Sequence, residues 1–197
     1  MAALGGGRLS DDVRQLIARC LGCDESAMLE LVELFRGQVF GLCYRMLNQR
    51  QDAEDAAQET FVRVLKNLHR WDAARDFEPW LLAIAGNRCR TALANRLKRS
   101  QVQPLLDDSV AGAVVDLQAA HSMAEEVQLA LGRLRDEYRQ AFVLFHEQEL
   151  SYAEIAEIMS CPIGTVKTWI HRARLEMMQF LRHRGIGQEP RHALRKV

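Results

Sequence analysis

The chain has 197 residues, with 26 Lys plus Arg balanced by 26 Asp plus Glu, and 48% of its residues are hydrophobic. That composition suits one medium or two small globular domains and excludes a disordered chain. No apolar run approaches the roughly 20 residues of a membrane span, the first ten residues lack the pattern of a signal peptide, and a cytoplasmic location is expected.

Read in chain order, the pattern is helical almost throughout. The first pair of cysteines, Cys20 and Cys23, has C-x-x-C spacing. Ordinary thiols are one reading and a metal or redox pair the other; no second pair or nearby histidine completes a zinc site. Over residues 28–47, Met28, Leu31, Val32, Phe35, Val39, Leu42, Cys43 and Met46 fall at three-and-four spacing, one face of a helix. Cys43 and Cys89 lie on such faces and are expected in the core. After a polar break at 48–51, residues 52–68 repeat the spacing, with Asp52, Glu54 and Asp55 loading the first turn with charge that suits the helix dipole. Asp55 and Glu59 share one face of this helix. That acidic stripe is either a docking site for a basic partner or a solvated surface.

A loop at 70–77 carries Trp71 between Arg70 and Arg75, a combination that can stack unpaired bases and follow a phosphate backbone. Pro79 then opens a helix running towards Lys98, with Trp80 on its apolar face and Arg88, Arg90, Arg96, Lys98 and Arg99 giving it a basic surface. Residues 100–122 contain no Lys, Arg or aromatic residue and read as an interdomain linker.

Helical spacing resumes at Glu125 and continues to about Arg184. Ser151 and Glu154 fit a capping box, Pro162 opens the next helix, and a short break separates the two. The second of these helices has an apolar stripe at Ile163, Val166, Ile170, Ala173, Met177 and Phe180. Its other positions carry Thr165, Lys167, Thr168, Trp169, His171, Arg172 and Arg174. Two short helices, a tight turn and a basic second helix describe a helix-turn-helix whose second helix suits the major groove. A helical hairpin with solvated charges is the plainer alternative. Charge polarity favours DNA: bases dominate from Lys167 to Arg184, acids from Glu125 to Glu157. The expected fold is all-α, with two small helical domains joined by a flexible linker. The domains span 10–99 and 123–184, the linker 100–122 and a flexible tail 185–197.

Three segments together resemble a known family. Asp52-Ala-Glu-Asp-Ala-Ala-Gln-Glu-Thr-Phe61 is similar to the core-polymerase-binding helix of the extracytoplasmic-function sigma factors, the small two-domain branch of the bacterial sigma-70 family. Phe77-Glu-Pro-Trp-Leu-Leu-Ala-Ile-Ala-Gly-Asn87 is similar to the start of the family's −10 recognition helix. Residues 150–159 and 162–174 are similar to its −35 helix-turn-helix.

The resemblance implies a promoter-specificity subunit rather than an enzyme, with no metal or cofactor. It implies that Asp52, Asp55, Gln58 and Glu59 dock on the clamp of the largest subunit of core RNA polymerase. Trp71, Arg75, Asn87, Arg88 and Arg90 would engage the melted −10 element. Thr165, Lys167, Thr168, Trp169, His171, Arg172 and Arg174 would face the −35 duplex. An anti-sigma factor is the further partner it implies. The alternative is a stand-alone helix-turn-helix regulator acting on DNA without polymerase. The chain departs from the family pattern at Trp169, where arginine is usual, and at Glu78 and Gly86, often basic or bulky. It departs again at Arg135, usually proline, where Asp136 is expected to cap the following helix.

Overall fold

A computed structural model describes residues 6–102 and 123–186, with the side chains of 6–10 and 99–102 left aside. Among the described residues there are eight α-helices, one 3₁₀ turn and no strand. The first domain comprises α1 (Gly6–Leu21), α2 (Glu25–Leu47), α3 (Arg50–Asn67), the 3₁₀ turn Leu68–Arg70 and α4 (Phe77–Val102). The second comprises α5 (Met123–Arg133), α6 (Asp136–His146), α7 (Tyr152–Met159) and α8 (Ile163–His183). The linker expected over 100–122 lies outside the described residues from 103 onward, and the tail lies outside them from 187.

Each boundary has a local cause. Asp24 caps α2 by accepting from the Ala27 N–H, and Ser26 and Arg19 also hold its carboxylate. Those bonds to the charged form lower its pKa to about 2. Asn48, at φ 59°, closes α2 in the left-handed region that asparagine tolerates. The polar break is therefore shorter than 48–51, since α3 starts at Arg50. Pro79 is not the first residue of α4, which begins at Phe77. It still lies in the first turn, where backbone N–H groups have no helical partner to lose. The expected cap by Asp136 is not formed. Arg135 holds the cap position, without a side-chain hydrogen bond, and Asp136 is already helical.

In the first domain α2 is the central helix, packed against α1, α3 and α4. Leu31, Val39, Leu42, Cys43 and Met46 are buried along it, as their spacing predicts. Cys43 meets Cys89 of α4 in this core, and the thiol–thiol hydrogen bond, followed by burial, pushes the Cys43 pKa upward. In the second domain α8 carries the packing, against α5, α6 and α7. Val166, Ile170, Ala173 and Met177 are buried, whereas Ile163, at 45% exposure, leaves the expected stripe.

The two domains are packed together. Their buried residues form one apolar cluster, and α7 lies on α4 while α5 and α6 lie on α2. The joint also has a polar grip on the end of α2. Arg45 donates to Gln128 (2.8 Å) and pairs with Glu147 (2.9 Å). Gln128 donates to the Tyr44 carbonyl and to Asn48 Oδ1, and Arg139 donates to the Met46 carbonyl. The Arg139 bond takes up the Met46 carbonyl, one of those the last turn of α2 leaves without a helical donor.

Candidate nucleic-acid interface

The acidic stripe of α3 is formed. Ala53, Ala56, Ala57, Thr60 and Phe61 turn inward, which leaves Asp55, Gln58 and Glu59 exposed and Asp52 half-buried on the other face. Glu59 pairs with Arg88 of α4. The Arg88 side chain is only 15% exposed, with its Nε buried and unpartnered. The structure thus brings together a residue of the expected polymerase face and one of the expected −10 face. Arg88 lies between α3 and α4 rather than on open surface.

The loop after the 3₁₀ turn is held at both ends. Trp71 packs edge-on against Phe77, with centroids 5.6 Å apart, and its indole N–H is buried without a partner. Asp72 accepts from the Ala74 N–H and shapes the turn. Arg75 is exposed and reaches out of its own domain, donating to Glu157 of α7 at 2.9 Å. Arg70, Trp71, Arg75, Trp80 and Ala83 share a groove with Glu154, Glu157 and Ile158 of the second domain. Further along α4, Asn87 is exposed and accepts from Arg90, which is half-buried.

The helix-turn-helix is built as its sequence pattern predicts. Ser151 accepts from the Glu154 N–H, and the Glu154 carboxylate accepts from the Ser151 N–H, closing the capping box. Ser160, at φ 52°, ends α7, and Pro162 caps α8. On α8, Lys167, Thr168, His171 and Arg172 are exposed, Thr165 and Arg174 half-exposed. Several of these positions are braced from behind. Lys167 sits over the Tyr152 ring, 5.6 Å from its centroid, and Arg172 donates to the Tyr138 hydroxyl at 3.2 Å. Arg174 lies over the Phe145 ring and donates to His146 Nε2 at 3.0 Å. Partial burial, with the Arg174 charge beside it, lowers the His146 pKa. Trp169 is half-buried and packs against the core, so part of its surface supports α8 rather than facing outward.

Sequence reasoning did not single out Gln128, Arg139, Gln140 or Ile158. The signal for Arg139 and Gln140 is their place beside the apolar run at 141–145; both are buried. Cys20 is buried and Cys23 exposed, both as free thiols. Among the described residues no helix is long and apolar enough to cross a membrane.

Comparison with known proteins identifies both domains. The sequence pattern of Sigma-70 region 2 matches residues 31–99, and that of Sigma-70, region 4 matches residues 124–177. The ECF RNA polymerase sigma factor SigW of Bacillus subtilis is 34% identical over 178 residues, covering 81% of this chain and 91% of its own. The RNA polymerase sigma-H factor of Pseudomonas aeruginosa is 30% identical, covering 82% and 89%. The fold is shared with the sigma factor RpoE of Bartonella quintana, solved with the anti-sigma factor NepR. Its TM-score is 0.66 at 23% identity, over 78% of this chain and 95% of that one. CnrH, solved with the cytosolic domain of CnrY, gives a TM-score of 0.64 at 23% identity, over 86% and 97%. With region 2 and region 4 in order and relatives matched over most of their length, the chain belongs to the extracytoplasmic-function sigma factors of the sigma-70 family.

Proposed function

We propose that this sigma factor works wholly by binding, through three surfaces. The exposed stripe Asp55, Gln58 and Glu59, with Asp52 at its edge, docks on the clamp of the largest subunit of core RNA polymerase. The first domain, 10–99, holds the melted −10 element through Trp71, Arg75, Asn87 and Arg90. Arg88 positions that helix through its pairing with Glu59. The second domain, 123–184, reads the −35 duplex through Thr165, Lys167, Thr168, His171, Arg172 and Arg174, while Trp169 buttresses the helix. The protein acts in the cytoplasm, and an anti-sigma factor holds it in reserve. One solved relative by fold, RpoE of Bartonella quintana, carries such a partner.

One observation carries this reading. A single chain presents an exposed acidic face on α3 and an exposed basic face on α8, on helices whose opposite faces are fully committed to the core. A zero net charge is then the sum of opposed surfaces. The free protein has little long-range attraction for DNA, and promoter binding depends on polymerase. A stand-alone regulator has no use for the α3 face. Asp55→Arg separates the two readings. It is expected to abolish co-migration with purified core polymerase while the helical circular dichroism stays unchanged. Normal co-migration of that variant would refute the clamp assignment.

A further inference from the structure

Arg174 stands on α8 about three turns beyond Ile163, roughly 16 Å along the helix axis. Lys167 and Thr168 lie nearer the start of α8, the part of a recognition helix that reaches base edges; residues further along meet the sugar–phosphate backbone. The end of α6 grips Arg174 at two points. Its Nε donates to His146 Nε2 at 3.0 Å, and its guanidinium lies over the Phe145 ring, 5.4 Å from the centroid. A guanidinium is a rigid planar fork, so fixing Nε fixes the direction in which both Nη groups point.

His146, the last residue of α6, is itself held. Its ring meets Phe142 at 4.4 Å and stands edge-on to Phe145 at 5.0 Å. Desolvation, and then the Arg174 charge, lower its pKa, which keeps the ring neutral at pH 7. To accept at Nε2 it carries its proton on Nδ1. The kind of acceptor matters. A carboxylate in this place would pair with Arg174 and cancel the charge that DNA needs. A neutral imidazole takes the Nε–H and leaves the charge for a phosphate. The neighbouring carboxylate, Glu147, is engaged by Arg45 at 2.9 Å, and among the described residues no carboxylate pairs with Arg174.

We propose that His146 is a positioning residue for −35 recognition: by accepting from Arg174 Nε, its Nε2 aims the two Nη groups of Arg174 at a backbone phosphate of the duplex. His146 acts through Arg174 and does not itself meet DNA. The proposal rests on the assignment of α8, and of Arg174 within it, to the −35 element.

Two substitutions separate aiming from packing. His146→Phe keeps a ring against Phe142 and Phe145 and removes the acceptor. His146→Gln gives up the ring and keeps an acceptor, the amide Oε1, near the place of Nε2. Holoenzyme made with each full-length variant is titrated with a fluorescein-labelled promoter duplex recovered by run-off transcription, and anisotropy is read at several salt concentrations. His146→Phe is expected to bind about three- to tenfold more weakly. The loss should be similar on different promoters, and the slope of log K against log[salt] should become shallower by about one unit, as for one lost phosphate contact. His146→Gln should recover most of the affinity and of the slope. In an Arg174→Ala background, His146→Phe should have no further effect.

Wild-type binding by His146→Phe, where Arg174→Ala binds weakly, would overturn the positioning role and leave the −35 reading standing. A loss in His146→Gln but not in His146→Phe would reduce the ring to packing and overturn it too. So would a loss in His146→Phe with an unchanged salt slope and a lowered urea midpoint. If Arg174→Ala itself binds as the wild type does, the assignment of Arg174 falls and the inference falls with it.

Discussion

Replacing Arg139 should damage the second domain more than any exposed charge on it. The residue is 7% exposed, and its guanidinium donates to four backbone carbonyls. Three close the C-terminal end of α5: Leu131 (2.8 Å) and Gly132 (3.1 Å) in its last turn and Leu134 (3.0 Å) just beyond. The fourth, on Met46, crosses the joint. Asp136, at 3.8 Å, is its nearest carboxylate, and burial lowers the Arg139 pKa. An arginine still remains charged across the usable pH range.

A buried carbonyl stripped of its donor costs about 1–3 kcal/mol, and the four share one side chain, so their losses overlap. Arg139→Met, which keeps the stem and loses the fork, is expected to destabilise the second domain by about 3–5 kcal/mol. That is a large share of a typical stability of about 5–15 kcal/mol. Arg139→Lys, with a point charge instead of a fork, should fall between. The assay is equilibrium urea unfolding followed by tryptophan fluorescence, because Trp169 reports the second domain and Trp71 and Trp80 the first. With a slope of roughly 1–3 kcal/mol/M, the transition reported by Trp169 should move by about 2 M. A loss under about 0.5 kcal/mol would mean that water satisfies those carbonyls as well as Arg139 does, and the reasoning would fail.

Ser151→Ala removes the capping box of α7 and should cost about 1 kcal/mol, measured in the same urea titration, with Thr retaining most of it. His146 is held below its ordinary pKa by burial and by Arg174, so the unfolded chain binds its proton more readily. Its contribution to stability is complete above the unfolded value near 6.5 and declines as pH falls from there through the lowered folded value. His146→Gln should flatten the stability–pH profile in that interval; an unchanged profile would place the titration elsewhere. Charge reversal of Lys167 and Arg172 together should abolish promoter-dependent transcription while leaving co-migration with core polymerase intact, which gel filtration and run-off assays read separately.

What the sequence disclosed was local. The capping box at Ser151 and Glu154, the acidic face of α3 and the apolar spacing of α2 and α8 all depend on residues within one or two helical turns, and all formed. Helix α1 carries its own pattern in Val13, Leu16, Ile17 and Cys20, all at three-and-four spacing and packed in or against the core. What stayed hidden depends on residues distant in the chain. Nothing near Gly86 announces that the Gln140 amide will face it, and nothing near Arg88 announces that Glu59 will hold it. Ile158 reads as an extra apolar residue on α7 until α4 is seen beneath it. The same limit explains Ile163, which fits the stripe by spacing but stands at the exposed start of α8. Asp136 is a similar case: its chemistry suits a cap, yet the chain turns one residue earlier.

The central claim is that this chain gives core polymerase its promoter choice. Run-off transcription from a genomic fragment pool, with core polymerase alone and with the chain added, tests it most directly. The account predicts discrete new transcripts that share −35 and −10 sequences and that Asp55→Arg eliminates. Identical transcript profiles with and without the chain, at concentrations where it co-migrates with the polymerase, would contradict it.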